Sequence, residues 1–98
     1  MSTGLTYRCV TSGGKRDTGA VTLEPNQQLL QWPVQDTDLS ATCHVFTFNG
    51  LHQDIVVFDQ YQVGRCGATR LCDWVLFDSN IGYYIGNHFQ IAYTWIHN

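Results

Sequence analysis

The sequence predicts an all-β fold, a small antiparallel β-sandwich of seven to eight strands stapled by two disulfides. Three observations predict it. Apolar and polar residues alternate in short runs along the chain, which is the period of a strand with one buried face. No segment sustains a 3.6-residue apolar period, so no amphipathic helix is expected. Four cysteines stand at positions 9, 43, 66 and 72. An even count in a short, loop-rich chain reads as a disulfide framework formed in an oxidising compartment.

The elements follow in order. Leu5, Tyr7 and Cys9 share one face of a first strand, with Thr6, Arg8 and Val10 opposite, and Thr18–Leu23 is a second short candidate. Leu30, Trp32 and Val34 alternate with Gln31 and Pro33, and the proline, which cannot donate to a ladder, marks an edge strand. Thr42–Phe48 and Gln53–Asp59 flank Asn49-Gly50, a hairpin signal because a type I′ turn needs positive φ at both positions. A two-residue loop there pairs Phe46 with Gln53 and His44 with Ile55. It would place Phe46, Phe48, Leu51, Ile55 and Val57 on the core face and Cys43 on the other, and a longer loop would change the pairing. Cys72-Trp74-Leu76 is the next strand, followed by the turn-like Asp78-Ser79-Asn80 and by Gly82–Ile85. His88–Ile96 reads as one regular strand with Phe89, Ile91, Tyr93 and Trp95 on one face. Trp32, Trp74 and Trp95 are expected in the core.

With 98 residues the chain makes a single domain, 1-98, that buries about two-thirds of its unfolded surface, so its core is thin. Charges are sparse: five Lys or Arg against eight Asp or Glu, a net charge of −3. Without a basic face or a polybasic segment, neither nucleic acid nor an anionic membrane is an expected partner. No apolar run approaches the roughly 20 residues of a spanning helix, so no membrane insertion is expected. The chain begins Met1-Ser2-Thr3-Gly4 with no apolar signal core and reads as the mature portion of a secreted, extracellular protein.

Taken in order, these features resemble the plant self-incompatibility protein family, the S-protein homologues. The likeness begins with the strand Leu5-Thr-Tyr-Arg-Cys9 and a turn from Ser12 through Lys15-Arg16-Asp17-Thr18 to Gly19. It continues through Leu23-Glu24-Pro25-Asn26 and Trp32-Pro33-Val34, then Cys43-His44-Val45-Phe46 and Asp54-Ile-Val-Val-Phe58-Asp59. It closes with Cys66, Cys72-Asp73-Trp74 and Ile81-Gly82-Tyr83-Tyr84, and so covers roughly Leu5 to Tyr84. Val34 replaces the usual aromatic after Trp32, and no Asn-x-Ser/Thr glycosylation site occurs. The resemblance implies a secreted β-sandwich with two intramolecular disulfides, acting as a non-enzymatic signalling ligand for a cell-surface receptor.

Four cysteines allow three pairings. Cross-linking of distant strands favours Cys9–Cys72 with Cys43–Cys66, and Cys66–Cys72 across a five-residue loop is the alternative. The separations of 34, 23 and 6 do not suit structural zinc, whose ligands come in close C-x₂₋₄-C pairs, so no metal or cofactor is expected. A ribonuclease-like enzyme would need a base, an acid and a phosphate-holding arginine. Glu24, His44, His88 and Arg65 or Arg70 supply the types, but the helix of such a fold is missing and no catalytic motif occurs, so the chain is read as not an enzyme. Recognition is expected from loops on a rigid sandwich. The candidate receptor-binding residues are Tyr61, Arg65 and Arg70 in the loop Gln60–Leu71, pinned by Cys66 and Cys72, Lys15 and Arg16 in the turn Gly13–Thr18, and Asn49 and His52 at the hairpin tip Asn49–His52. A carbohydrate-binding or defence protein would instead use Tyr61, Tyr83 and Tyr84 as stacking platforms. The chain is expected to be a monomer.

Overall fold

The structure, a computed structural model, describes residues 3–35, 38–60, 71–85 and 87–97. Among them are nine strands and one short 3-10 turn, Ser12–Gly14, and no α-helix. The strands are β1 (Leu5–Thr11), β2 (Val21–Leu23), β3 (Leu29–Pro33), β4 (Ser40–Thr47), β5 (Leu51–Asp59), β6 (Leu71–Leu76), β7 (Ile81–Ile85), β8 (His88–Tyr93) and β9 (Ile96–His97). A five-stranded sheet runs β2-β1-β4-β5-β9 and a four-stranded sheet runs β3-β6-β7-β8. Every pairing is antiparallel.

The alternating pattern decides which side chains fill the space between the layers. Leu5 and Cys9 of β1, Cys43 and Val45 of β4, and Ile55 and Val57 of β5 face Leu30 and Trp32 of β3 and Trp74, Leu76 and Ile81 of β6 and β7 in one core. Trp74 ties the layers directly: its Nε1–H donates to the carbonyl of Val57 at 3.0 Å. Pro33 does lie on an edge strand, since β3 ends the four-stranded sheet.

The hairpin register differs from the two-residue expectation. Phe46 pairs with His52 and Cys43 with Ile55, because the loop is Phe48-Asn49-Gly50. Gly50 N–H bonds to the carbonyl of Thr47 and Gly50 carries φ 92°, the geometry of a three-residue loop closed by a left-handed glycine. A shift of one residue turns every side chain over. Cys43 therefore points into the core and Phe46 and Phe48 point out of it, 54% and 63% exposed.

That register also corrects the disulfide pairing. Cys9 stands opposite Cys43 in the β1–β4 ladder, and the two are bridged with Cα atoms 3.9 Å apart. The Cys9 N–H donates to Thr18 Oγ1 and its carbonyl accepts from the Thr18 N–H. Both backbone groups are thus turned away from β4, which makes Cys9 and Cys43 a close, non-hydrogen-bonded cross-strand pair. Cys9–Cys72 and Cys43–Cys66 are excluded, because Cys9 and Cys43 are joined to each other. One bridge rather than two lies wholly within the described residues; Cys72 is also oxidised, and Cys66 falls outside them.

The last predicted strand is two strands. Ile81 pairs with Tyr93 but Gly82 with Ile91, so Ala92 is an extra, bulged residue. The bulge flips the alternation: Tyr93 packs against Trp74 in the core while Ile91 is 62% exposed. The chain then leaves the four-stranded sheet, buries Trp95, and adds β9 to the five-stranded one.

Candidate recognition surface

The corrected register assembles a row of side chains, with Phe46 and Ile96 as its apolar members, across the outer face of the five-stranded sheet. Thr22, Thr6, Phe46, His52 and Ile96 stand side by side on five successive strands. The Phe46 and His52 rings stack with centroids 6.4 Å apart, and Ile96 is 46% exposed at the end of the row. Phe48 extends the patch at the hairpin tip. Its N–H donates to the carbonyl of Gly4, and its ring lies so close to Gly4 that a Cβ there would meet Cε2 at 2.6 Å. A glycine is needed at position 4 to seat that ring.

The tip is held internally. The Leu51 N–H donates to Thr47 Oγ1 at 2.8 Å, and the same hydroxyl reaches Asn49 Oδ1. Asn49 and His52, named from the sequence, therefore belong to one fixed tip with Phe46 and Phe48. A preordered tip loses little conformational freedom on binding.

Beside this row lies one of ionisable residues. His44 Nδ1 meets Asp54 Oδ1 across β4 and β5, and Arg8 of β1 stands next to His44. Arg8 forms a salt bridge with Asp17. The Arg8 guanidinium, with a lesser contribution from the Gly19 N–H, holds the Asp17 carboxyl down at about 2. An exposed apolar patch edged by hydrogen-bonded charges has the anatomy of a protein-binding surface.

Lys15 and Arg16 have different settings. Both line an open cleft of about 310 Å³ with Asp17, Thr18 and Trp32. Lys15 is exposed, whereas Arg16 is drawn inward. Thr11 positions it, accepting the Arg16 N–H at its hydroxyl and donating its own N–H to the Arg16 carbonyl. The guanidinium lies 4.4 Å from the centroid of the Trp32 ring and donates to the Pro33 carbonyl and to Asp38 Oδ2. Asp38 also accepts the Gln35 N–H, and its side chain is only 2% exposed. Arg16 thus braces the first turn against the end of β3. Arg16→Ala is expected to cost about 2 kcal/mol. That is below the roughly 3–5 kcal/mol of a fully enclosed pair, because the guanidinium keeps some contact with water. A urea denaturation curve checks it.

Tyr61, Arg65 and Arg70 lie outside the described residues. Tyr83 is half-buried with its ring 5.0 Å from that of Trp74, while Tyr84 is 55% exposed on the outer face of the other sheet. His44 and His88 fall on different sheets. The sequence reading missed Phe46, Phe48 and Ile96. The cysteines carried the missing signal, since a Cys43 turned inward to meet Cys9 fixes the parity of β4 and sends both phenylalanines outward. Set against family models, curated proteins and solved structures, the chain finds no match in any of the three.

Proposed function

We propose that this chain is a secreted, non-enzymatic recognition ligand for the extracellular part of a cell-surface receptor, the role that its resemblance to the plant self-incompatibility proteins implies. The observation that carries the reading is the exposed apolar patch at and beside a fixed hairpin tip, Phe46, Phe48 and Ile96, with the His52 ring stacked on Phe46. Exposed aromatics without a core role are the residues that dominate protein interfaces. The buried Cys9–Cys43 bridge supports an oxidising, extracellular setting.

The test is a doubly substituted variant, Phe46→Ser/Phe48→Ser, measured for binding of fluorescently labelled protein to intact plant cells. Affinity is expected to fall about tenfold or more, the loss typical of a central aromatic pair, with the thermal unfolding curve nearly unchanged. Saturable binding with an unaltered dissociation constant in the variant would remove the tip from the recognition surface. An absence of saturable binding by the unsubstituted protein would remove the receptor-ligand reading itself.

A further inference from the structure

Among the described residues four strands end the two sheets, and three of them are poor templates for another chain. β2 has three residues, β9 has two, and β3 carries Pro33. Short length and proline are two of the ways in which sheet edges are blunted, and a bulge is a third. β8 is different. It runs six residues, His-Phe-Gln-Ile-Ala-Tyr, with no proline, lysine or acidic residue. Among the described residues its only ladder partner is β7, and no backbone hydrogen bond joins its other side to the protein. Its one irregularity, the Ala92 bulge, sits near the far end and leaves His88–Ile91 regular.

An apolar row leads to this edge. Leu29, Val75, Gly82 and Ile91 are cross-strand neighbours on the outer face. Leu29 and Ile91 are 47% and 62% exposed, with Tyr84 beside them at 55%. Gly82 leaves room for Phe89, whose ring would meet a Cβ there at 2.6 Å. Phe89 and Ile91 therefore sit together on the outer face, at the open border of the sheet.

We propose that β8 is a self-association edge at which two copies of this chain pair antiparallel about a two-fold axis through Gln90, joining their four-stranded sheets into one of eight. The sequence of the strand is what selects a second copy. An antiparallel pair keeps outer faces together only if opposite residues have the same parity. In the register centred on Gln90, Phe89 of each copy meets Ile91 of the other, and the bulged Ala92 opposite His88 ends the regular pairing on either side. Gln90 meets itself, and a primary amide carries both donor and acceptor for such a contact. A residue on a two-fold axis always faces its own copy, so a charge there would be repelled; none is present. Regular pairing over about three residues of each copy buries little area, which places the dimer among weak, reversible ones. The hairpin tips lie on the other layer and stay uncovered. The inference is independent of the receptor reading.

Sedimentation velocity over a concentration series tests it. The unsubstituted protein is expected to shift from monomer towards dimer between roughly 10 µM and 1 mM, the range of a small interface. Ile91→Lys, at an exposed position, is expected to raise the dissociation constant at least tenfold with the thermal unfolding curve intact. Phe46→Lys, on the opposite layer, is expected to leave dimerisation unchanged. A dimer that persists in Ile91→Lys, or one lost only in Phe46→Lys, would overturn the proposal. So would a monomer throughout the series, which would leave the edge to an extended segment of a different protein.

Discussion

Replacing Trp74 with alanine is expected to remove about 3–5 kcal/mol of stability, the cost of truncating a large buried aromatic. Trp74 is 1% exposed, and its ring centroid lies 5.0 Å from that of Tyr83 and 5.9 Å from that of Tyr93. Its hydrogen bond to Val57 is also lost, a further ~1 kcal/mol. The net stability of a domain this size is about 5–15 kcal/mol, so the substitution removes a large share of it. Trp74→Phe keeps most of the volume and should lose about 1–3 kcal/mol. Urea midpoints of the three proteins order the effects. A loss under about 1 kcal/mol in the alanine variant would mean that the layers do not depend on this indole.

Removing the Cys9–Cys43 bridge should cost nearly as much. The cross-link spans 34 positions, for which the chain-entropy relation gives about 4 kcal/mol. Cys9→Ala/Cys43→Ala should therefore shift the urea midpoint strongly downward, part of the loss coming from shorter side chains in the core. Both sulfurs belong to residues at most 1% exposed, so a mild reductant should attack only when the protein opens. Thiol labelling in the presence of reductant should accordingly track unfolding in a urea series. Rapid labelling of both cysteines under native conditions would contradict the buried placement.

Much of the fold was legible because burial of one strand face leaves a period-two trace. Leu5 with Cys9, Leu30 with Trp32, and Trp74 with Leu76 all point inward as their alternation requires. What the alternation does not carry is the position of an extra residue. Phe89 to Tyr93 alternates without interruption in the sequence, yet the backbone bulges at Ala92 and reverses the face. Val57 is a second case: Ala41 pairs with Phe58 and Thr42 with Val56, so Val57 is inserted between them, in the core. The hairpin failed for a related reason. Asn49-Gly50 marks the turn, but only the backbone distinguishes a two-residue loop from one that also takes in Phe48. Asn49 and His52 were therefore legible as surface, and the two phenylalanines beside them were not. The role of Arg16 was hidden by distance, since its carboxylate partner lies 22 positions along the chain.

The crossing between Tyr93 and Ile96 also makes the sandwich a mechanical joint. Tension applied beyond His97 would first unzip the two pairs Leu51–His97 and His52–Ile96 one at a time, at low force. The load would then reach Trp95, whose Nε1–H donates to the Phe77 carbonyl at 2.7 Å, and the hydrogen bond from the Val56 N–H to the Tyr93 hydroxyl. Those contacts engage both layers, so further extension would have to shear the sheets apart rather than peel one strand. A protein built this way yields softly over its last strand and then stiffens.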